Sequence, residues 1–247
     1  MIADAGTTNW SPFAVSLLKA NAMKVKSVTH KFALFLSALL IGGSGTHLCG
    51  AQSLHGLKVG EPSATLGPLG APSDSDTYKG MAVQRWDRPN GNSLSVTIGK
   101  NGVVFIESDW NGSDDAPGCD LPGLRFEKTT LAELRKRFGS NGFGYKARGY
   151  SAETPDGIVM MNSYEVGVVV VTFYTKINRD EFSSLKASGK NPWPADYAKL
   201  DAISIAEDNY ATSEWGERVY DPAYKKIEWK WMVSLFDACV VCKHRSS

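Results

Sequence analysis

Leu54-His55-Gly56-Leu57-Lys58-Val59 and Leu121-Pro122-Gly123-Leu124-Arg125-Phe126 are one pattern written twice: Leu, a spacer, Gly-Leu, a basic residue and an apolar residue. The first copy runs into a Thr/Leu/Gly segment ending Leu69-Gly70-Ala71-Pro72 and then reaches Trp86; the second runs from Thr129 to Phe138-Gly139. The units also close alike, on Val103-Val104-Phe105-Ile106-Glu107-Ser108-Asp109-Trp110 and on Ala202-Ile203-Ser204-Ile205-Ala206-Glu207-Asp208-Asn209-Tyr210. Self-similarity of this length predicts an α+β fold of two tandem repeats, each a short helical segment packed on an antiparallel meander, together forming a curved sheet.

The second repeat has the clearer local signals. Thr130 with Glu133 makes a capping box, and Leu131, Leu134 and Phe138 share a helical face. Cations at 135–137 fill the last turn and Gly139 stops the helix. In the first repeat Pro62 suits a helix start, but Gly67-Pro68 breaks any regular helix, so this half reads as a degraded copy. Alternation predicts a three-stranded meander at 81–87, 93–98 and 103–109, and strands at 144–152, 158–166, 168–176 and 199–207. Repeat 1 is placed at 52–110, a linker at 111–120 and repeat 2 at 121–213. Residues 178–197 are read as an inserted ordered loop, and 214–247 as an aromatic-rich appendage and tail packing across the sheet.

Residues 23–51 read as a secretory signal: Met23, Lys24, Lys26 and Lys31 begin it, an apolar run at 32–41 is too short to span a bilayer, and 42–51 is small and polar. Translation is expected to start at Met23, making 1–22 an upstream extension, with cleavage after Ala51 rather than lipidation of Cys49. The destination is export, to the periplasm or beyond. Removing Asp4 and the four lysines of 1–51 from the 26 acidic and 27 basic residues leaves 25 against 23. A near-neutral exported chain has no general attraction for nucleic acid or anionic lipid. The remaining length and the 43% hydrophobic content are sufficient for a core without disulfide staples. No span is expected in the mature chain. Cys119, Cys239 and Cys242 allow at most one internal bridge, and whether Cys119 pairs with Cys239 or Cys242 stays open.

Catalytic chemistry has few carriers. After cleavage only His55, at the new N-terminus, and His244, in the tail, remain, so no histidine base or three-ligand zinc site is expected inside the body. Carboxylates are left: Glu107 with Asp109 on one strand face, or Glu207 with Asp208, each read as solvated strand-end acids. The acidic stretch 109–120 fails EF-hand spacing and reads as linker. Cys239-Val240-Val241-Cys242-Lys243-His244 lacks a fourth zinc ligand, the haem spacing and a thioredoxin-like context. No catalytic residue, metal or cofactor is assigned. The rival readings are a secreted carboxylate-dependent hydrolase, or a redox or metal protein acting through the tail.

The order of Gly-Leu segment, short helix, Leu69-Gly70-Ala71-Pro72, the strand around Trp86, an Asn-Gly turn and a closing strand with paired acids resembles the small envelope domain of the β-lactamase inhibitor proteins and of the outer-membrane-assembly lipoprotein of the Bam complex. The tandem arrangement is most similar to the inhibitors, although their intra-repeat cysteine pairs are absent here. The resemblance covers roughly 54–210 and implies a non-enzymatic protein that binds another envelope or secreted protein with a sheet face. Alternation in 168–176 assigns Val169, Val171 and Phe173 to the core and turns Tyr174 and Lys176 outward, with Tyr164 and Tyr150 extending the patch.

Overall fold

The computed structural model describes residues 53–227 apart from 90, 113–115, 120, 122 and 190–194. The signal at 23–51, the extension 1–22, the Asn191 to Pro194 loop, and the tail with Cys239, Cys242 and His244 lie outside the described residues, as does any bridge from Cys119 to the tail. Strands β1 (Ser53–Leu54) and β2 (Leu57–Lys58) form a miniature hairpin, followed by a 3-10 segment (Ser63–Leu69). Then come β3 (Asp74–Tyr78), β4 (Met81–Asp87), β5 (Ser93–Gly99), β6 (Gly102–Asp109), α1 (Leu131–Phe138), β7 (Phe143–Tyr145), β8 (Ser151–Thr154) and β9 (Gly157–Val166). The chain continues through β10 (Val169–Asn178), α2 (Arg179–Ala187), β11 (Lys199–Glu207), α3 (Asp208–Trp215) and β12 (Arg218–Tyr220).

All strands but the first two belong to one antiparallel ten-stranded sheet of order β12-β7-β9-β10-β11-β6-β5-β4-β3, with β8 also on β9. β3 to β6 run in sequence order up to the centre, where β6 pairs β11 with Ile106 opposite Ile205 and Glu107 opposite Ser204. The fold is thus α+β, with the four-strand run β3–β6 meeting the run β11-β10-β9-β7-β12 at the β6–β11 seam. Three elements depart from expectation. β3 adds a fourth strand to the first meander. The stretch 144–152 is divided between β7 and β8 by a turn in which Gly149 takes φ 70°. The 178–197 insertion carries a helix, α2, not a loop alone.

Each face of the sheet is followed by reading across cross-strand partners, which share a face. One row runs Gln84, Val96, Ile106, Ile205, Val171 and Tyr164. Val96, Ile106, Ile205, Val171 and Tyr164 pack into a core with Leu134 and Phe138 of α1 and with Leu54, Leu57, Leu121 and Leu124, so both copies of the repeated Leu pattern enter the same interior. The next row runs Arg85, Ser95, Glu107, Ser204, Thr172 and Ser163. This second face is covered too: α3 lays Tyr210 and Trp215 on Phe105, while Val159, Met161, Tyr174 and Ala202 cluster with Ala152 of β8.

Coverage on both sides corrects the expected outward patch. Tyr174 is 1% exposed and Tyr164 is 0% exposed, on opposite faces of the sheet. The unbroken run Val169-Val170-Val171 is the mark of a strand buried on both faces, and alternation read over it assigns one side to solvent wrongly. The α1 reading holds: Thr130 and Glu133 close the capping box and Gly139 ends the helix at φ 74°.

Candidate functional site

Four sequence-derived candidates come together on the second face: Glu107, Asp109, Tyr174 and Lys176, joined by Asp201. The acids are not solvated strand ends. Glu107 is 1% and Asp109 7% exposed, and Glu107 Oε1 and Asp109 Oδ1 have no hydrogen-bond partner. Ser93 Oγ donates to Asp109 Oδ2 at 3.3 Å. Burial pushes the Glu107 carboxyl well above the usual range, and the charge of Asp109 adds to this, against the pull of Arg148, the Tyr174 hydroxyl and Arg85. Burial likewise raises Asp109 to about 6, opposed by Arg85 and Ser93, and Asp201 to about 7, opposed by Lys176. Three buried acids therefore sit among three half-buried cations, Arg85, Arg148 and Lys176.

Two members of this cluster escape sequence reading. Asp201 lies where the β10–β11 register slips between Tyr174 and Thr175, pairing Ala202 and then Leu200 and leaving Asp201 without a partner on β10. A lone acid in the apolar run Leu200-Asp201-Ala202-Ile203 is the signal that could have found it. Arg148 comes from the turn between β7 and β8. Its guanidinium lies 4.6 Å from the Trp215 ring centroid and 5.0 Å from that of Tyr174, and its Nη2 donates to the Tyr174 hydroxyl at 2.9 Å. The Tyr174 hydroxyl also lies 3.3 Å from Ser204 Oγ. Burial pushes Tyr174 up to about 12.

Glu207 and Asp208 are surface acids at the start of α3, where Asp208 pairs with Arg218. His55, near the expected mature N-terminus, packs into the folded body. It sits in the β1–β2 turn with Nε2 3.1 Å from the buried Ser108 Oγ, and burial, then Arg88, lowers its pKa to about 4. It is a neutral interior hydrogen-bonding group at pH 7.

Among the four expected contact residues only Tyr150 is exposed, at 37%, while Lys176 is half-buried. The Tyr164 hydroxyl donates to Ser140 O at 2.8 Å, and its ring packs on Phe138 and Phe173. Tyr150 has different neighbours: its hydroxyl donates to Val219 O, and Val219 and Tyr220, on edge strand β12, are 40% and 43% exposed. Tyr220 packs, tilted, against Phe143 and Tyr224 and donates to Glu165 Oε1 at 2.9 Å, and Glu165 also pairs with Arg218. At the opposite edge, the β3 amides of Ser75 and Thr77 donate to the carboxylates of Asp74 and Asp76, which caps that edge with its own side chains. Among the described residues no helix is long and apolar enough to cross a membrane.

The chain matches no protein-family model and no curated protein. Solved structures that align with it include a cysteine-rich secretory protein from Staphylococcus aureus subsp. aureus Mu50, at 9% identity and TM-score 0.41 over 69% of this chain and 50% of that one, and an extracellular protein containing an SCP domain from Bacillus anthracis str. Ames, at 11% identity and TM-score 0.34 over 78% and 56%. The chain spans about half the length of each.

Proposed function

We propose that this is an exported, non-enzymatic protein that binds another secreted or envelope protein, as an inhibitor, immunity factor or assembly accessory, with Tyr150, Val219 and Tyr220 as its contact surface. The observation that carries the reading is the exposed aromatic group on the β12 edge, whose side chains are already fixed by hydrogen bonds and ring contacts. Tyrosines held in place bury much area on binding at little entropic cost. The two-module organisation belongs to the same reading. It is supported by the repeated Leu patterns sharing one core and by the strand runs that meet at β6 and β11. The rival hydrolase reading draws on the raised carboxyls of Glu107 and Asp109, but side chains exposed by 1% and 7% offer little to a substrate.

The test is capture from the envelope fraction of the producing cells. Replacing Tyr150 and Tyr220 together by Ser is expected to reduce the captured partner by about tenfold or more, with the thermal midpoint moved by only a few degrees. Glu107→Gln is expected to leave capture intact. Undiminished capture by the tyrosine variant, or loss in Glu107→Gln alone, overturns the assignment.

A further inference from the structure

The sheet ends on β12, which among the described residues pairs only with β7, setting Arg218 against Tyr145, Val219 against Gly144 and Tyr220 against Phe143. Bonds at its two ends fix which way its backbone groups point: the Lys146 amide donates to Glu217 O and the Asp221 amide to Gly142 O, both at 2.9 Å. Bonded positions alternate along an antiparallel pair, so 217, 219 and 221 face β7, and the N–H and C=O groups of Arg218 and Tyr220 point off the sheet. The β3 edge is closed by Asp74 and Asp76, which take up its amides; among the described residues no side chain does this for Arg218 or Tyr220.

The open edge has an apolar side with acidic ends. The Tyr150 ring lies over Gly144, where a Cβ would sit 3.1 Å from the ring carbons, and Gly144 is the partner of Val219, so ring and valine share one side. Glu217 and Asp221, two residues before and after Val219, fall on that side as well. Their charges are weakly answered. Lys146 pairs with Glu217 at 2.6 Å, but the two side chains are 62% and 71% exposed, and Asp221 is held by neutral groups, Asn141 Nδ2 at 2.6 Å and the Ala223 amide at 2.7 Å. Arg218 is engaged by Glu165 and Asp208, and Lys225 and Lys226 come only after the turn that the Tyr224 amide closes on Asp221 O.

We propose that β12 takes up an extended segment of the partner as an added strand, and that this segment carries an apolar residue opposite Val219 with a basic residue two places to either side. This rests on the reading of Tyr150, Val219 and Tyr220 as the contact surface and names the kind of partner that surface fits. Arg218 and Tyr220 supply the ladder bonds, Tyr150 and Val219 the apolar contact, and Glu217 and Asp221 the charge that selects. A second copy of β12 does not meet the pattern: pairing centred on Val219 sets acid against acid at both ends, whichever way the strands run.

The test is amide hydrogen exchange on the full chain, read by nuclear magnetic resonance at about 50 mM salt, with the capped peptide Ser-Lys-Thr-Val-Thr-Lys-Ser and its counterpart Ser-Glu-Thr-Val-Thr-Glu-Ser. The Arg218 and Tyr220 amides are expected to exchange freely in the chain alone and to slow by about tenfold or more under saturating lysine peptide, with Val219 little changed. The glutamate peptide is expected to bind about threefold or more weakly, and Glu217→Lys to remove or reverse that preference. Amides already protected in the free chain, absence of protection by the lysine peptide, or equal binding of the two peptides overturns the added strand; protection that grows with protein concentration assigns the edge to a second copy instead. Capture lost in the Tyr150 and Tyr220 double variant without protection by the peptide overturns the added strand and keeps the contact surface. Undiminished capture with protection overturns the contact surface and keeps the strand site.

Discussion

The folded chain is expected to lose stability as pH rises from the ordinary aspartate value of 3.8 towards about 7, by an amount on the order of a few kcal/mol. The sign follows from the direction of the shifts. Asp109 and Asp201 have folded pKa values raised to about 6 and about 7, so the folded state holds protons that the unfolded chain has already released. Below 3.8 both states are protonated and the cost is absent; above the folded values both are ionised, and the folded state bears the full cost of buried charge. Glu107, raised by burial and by Asp109, acts in the same sense. Urea unfolding across pH 4 to 8 reads the slope directly. Asp201→Asn should flatten the curve and exceed the parent in stability at the alkaline end, because a neutral amide replaces a desolvated carboxylate. Stability that climbs with pH over this window would show that Arg85, Arg148 and Lys176 more than offset the burial.

The second large effect is expected at Leu134→Ala, a loss of about 2 to 5 kcal/mol. Leu134 is 0% exposed and sits in the main core, on the face of α1 that packs against the sheet. One turn on, Phe138 stacks on Phe173 and packs against Tyr164, so the helix is anchored beside the cavity the truncation leaves. Rings fixed in this way cannot collapse into the gap, which places the cost within the cavity-forming range rather than near zero. Lys136→Ala, on the exposed side of the same helix, should change stability by less than about half a kcal/mol. Equal effects at the two positions would mean that α1 is not seated on the sheet.

Local chemistry was legible in the amino-acid sequence wherever a short range of residues settles the outcome. Helix α1, its cap and its glycine stop follow from Thr130, Glu133 and Gly139, and β4 and β11 begin and end at the expected residues, because capping and strand alternation depend on near neighbours. The Leu54 and Leu121 patterns were visible as a pair, and both serve one core. What only the tertiary structure decided was which side of the sheet faces water. Alternation defines two faces of a strand but does not say how many are covered; α3 and Arg148 of the β7–β8 turn come from other parts of the chain to close over the second face, where Tyr174, Glu107 and Asp109 are buried. The same long-range packing puts Arg148 between Trp215 and Tyr174, and draws Asp201 into the cluster through a one-residue slip in register. A buried charge cluster is a property of residues far apart in the chain and close in space. Glu107, Asp109, Tyr174 and Lys176 can be named from the sequence, but their burial, and with it their chemistry, exists only once the sheet is closed on both sides.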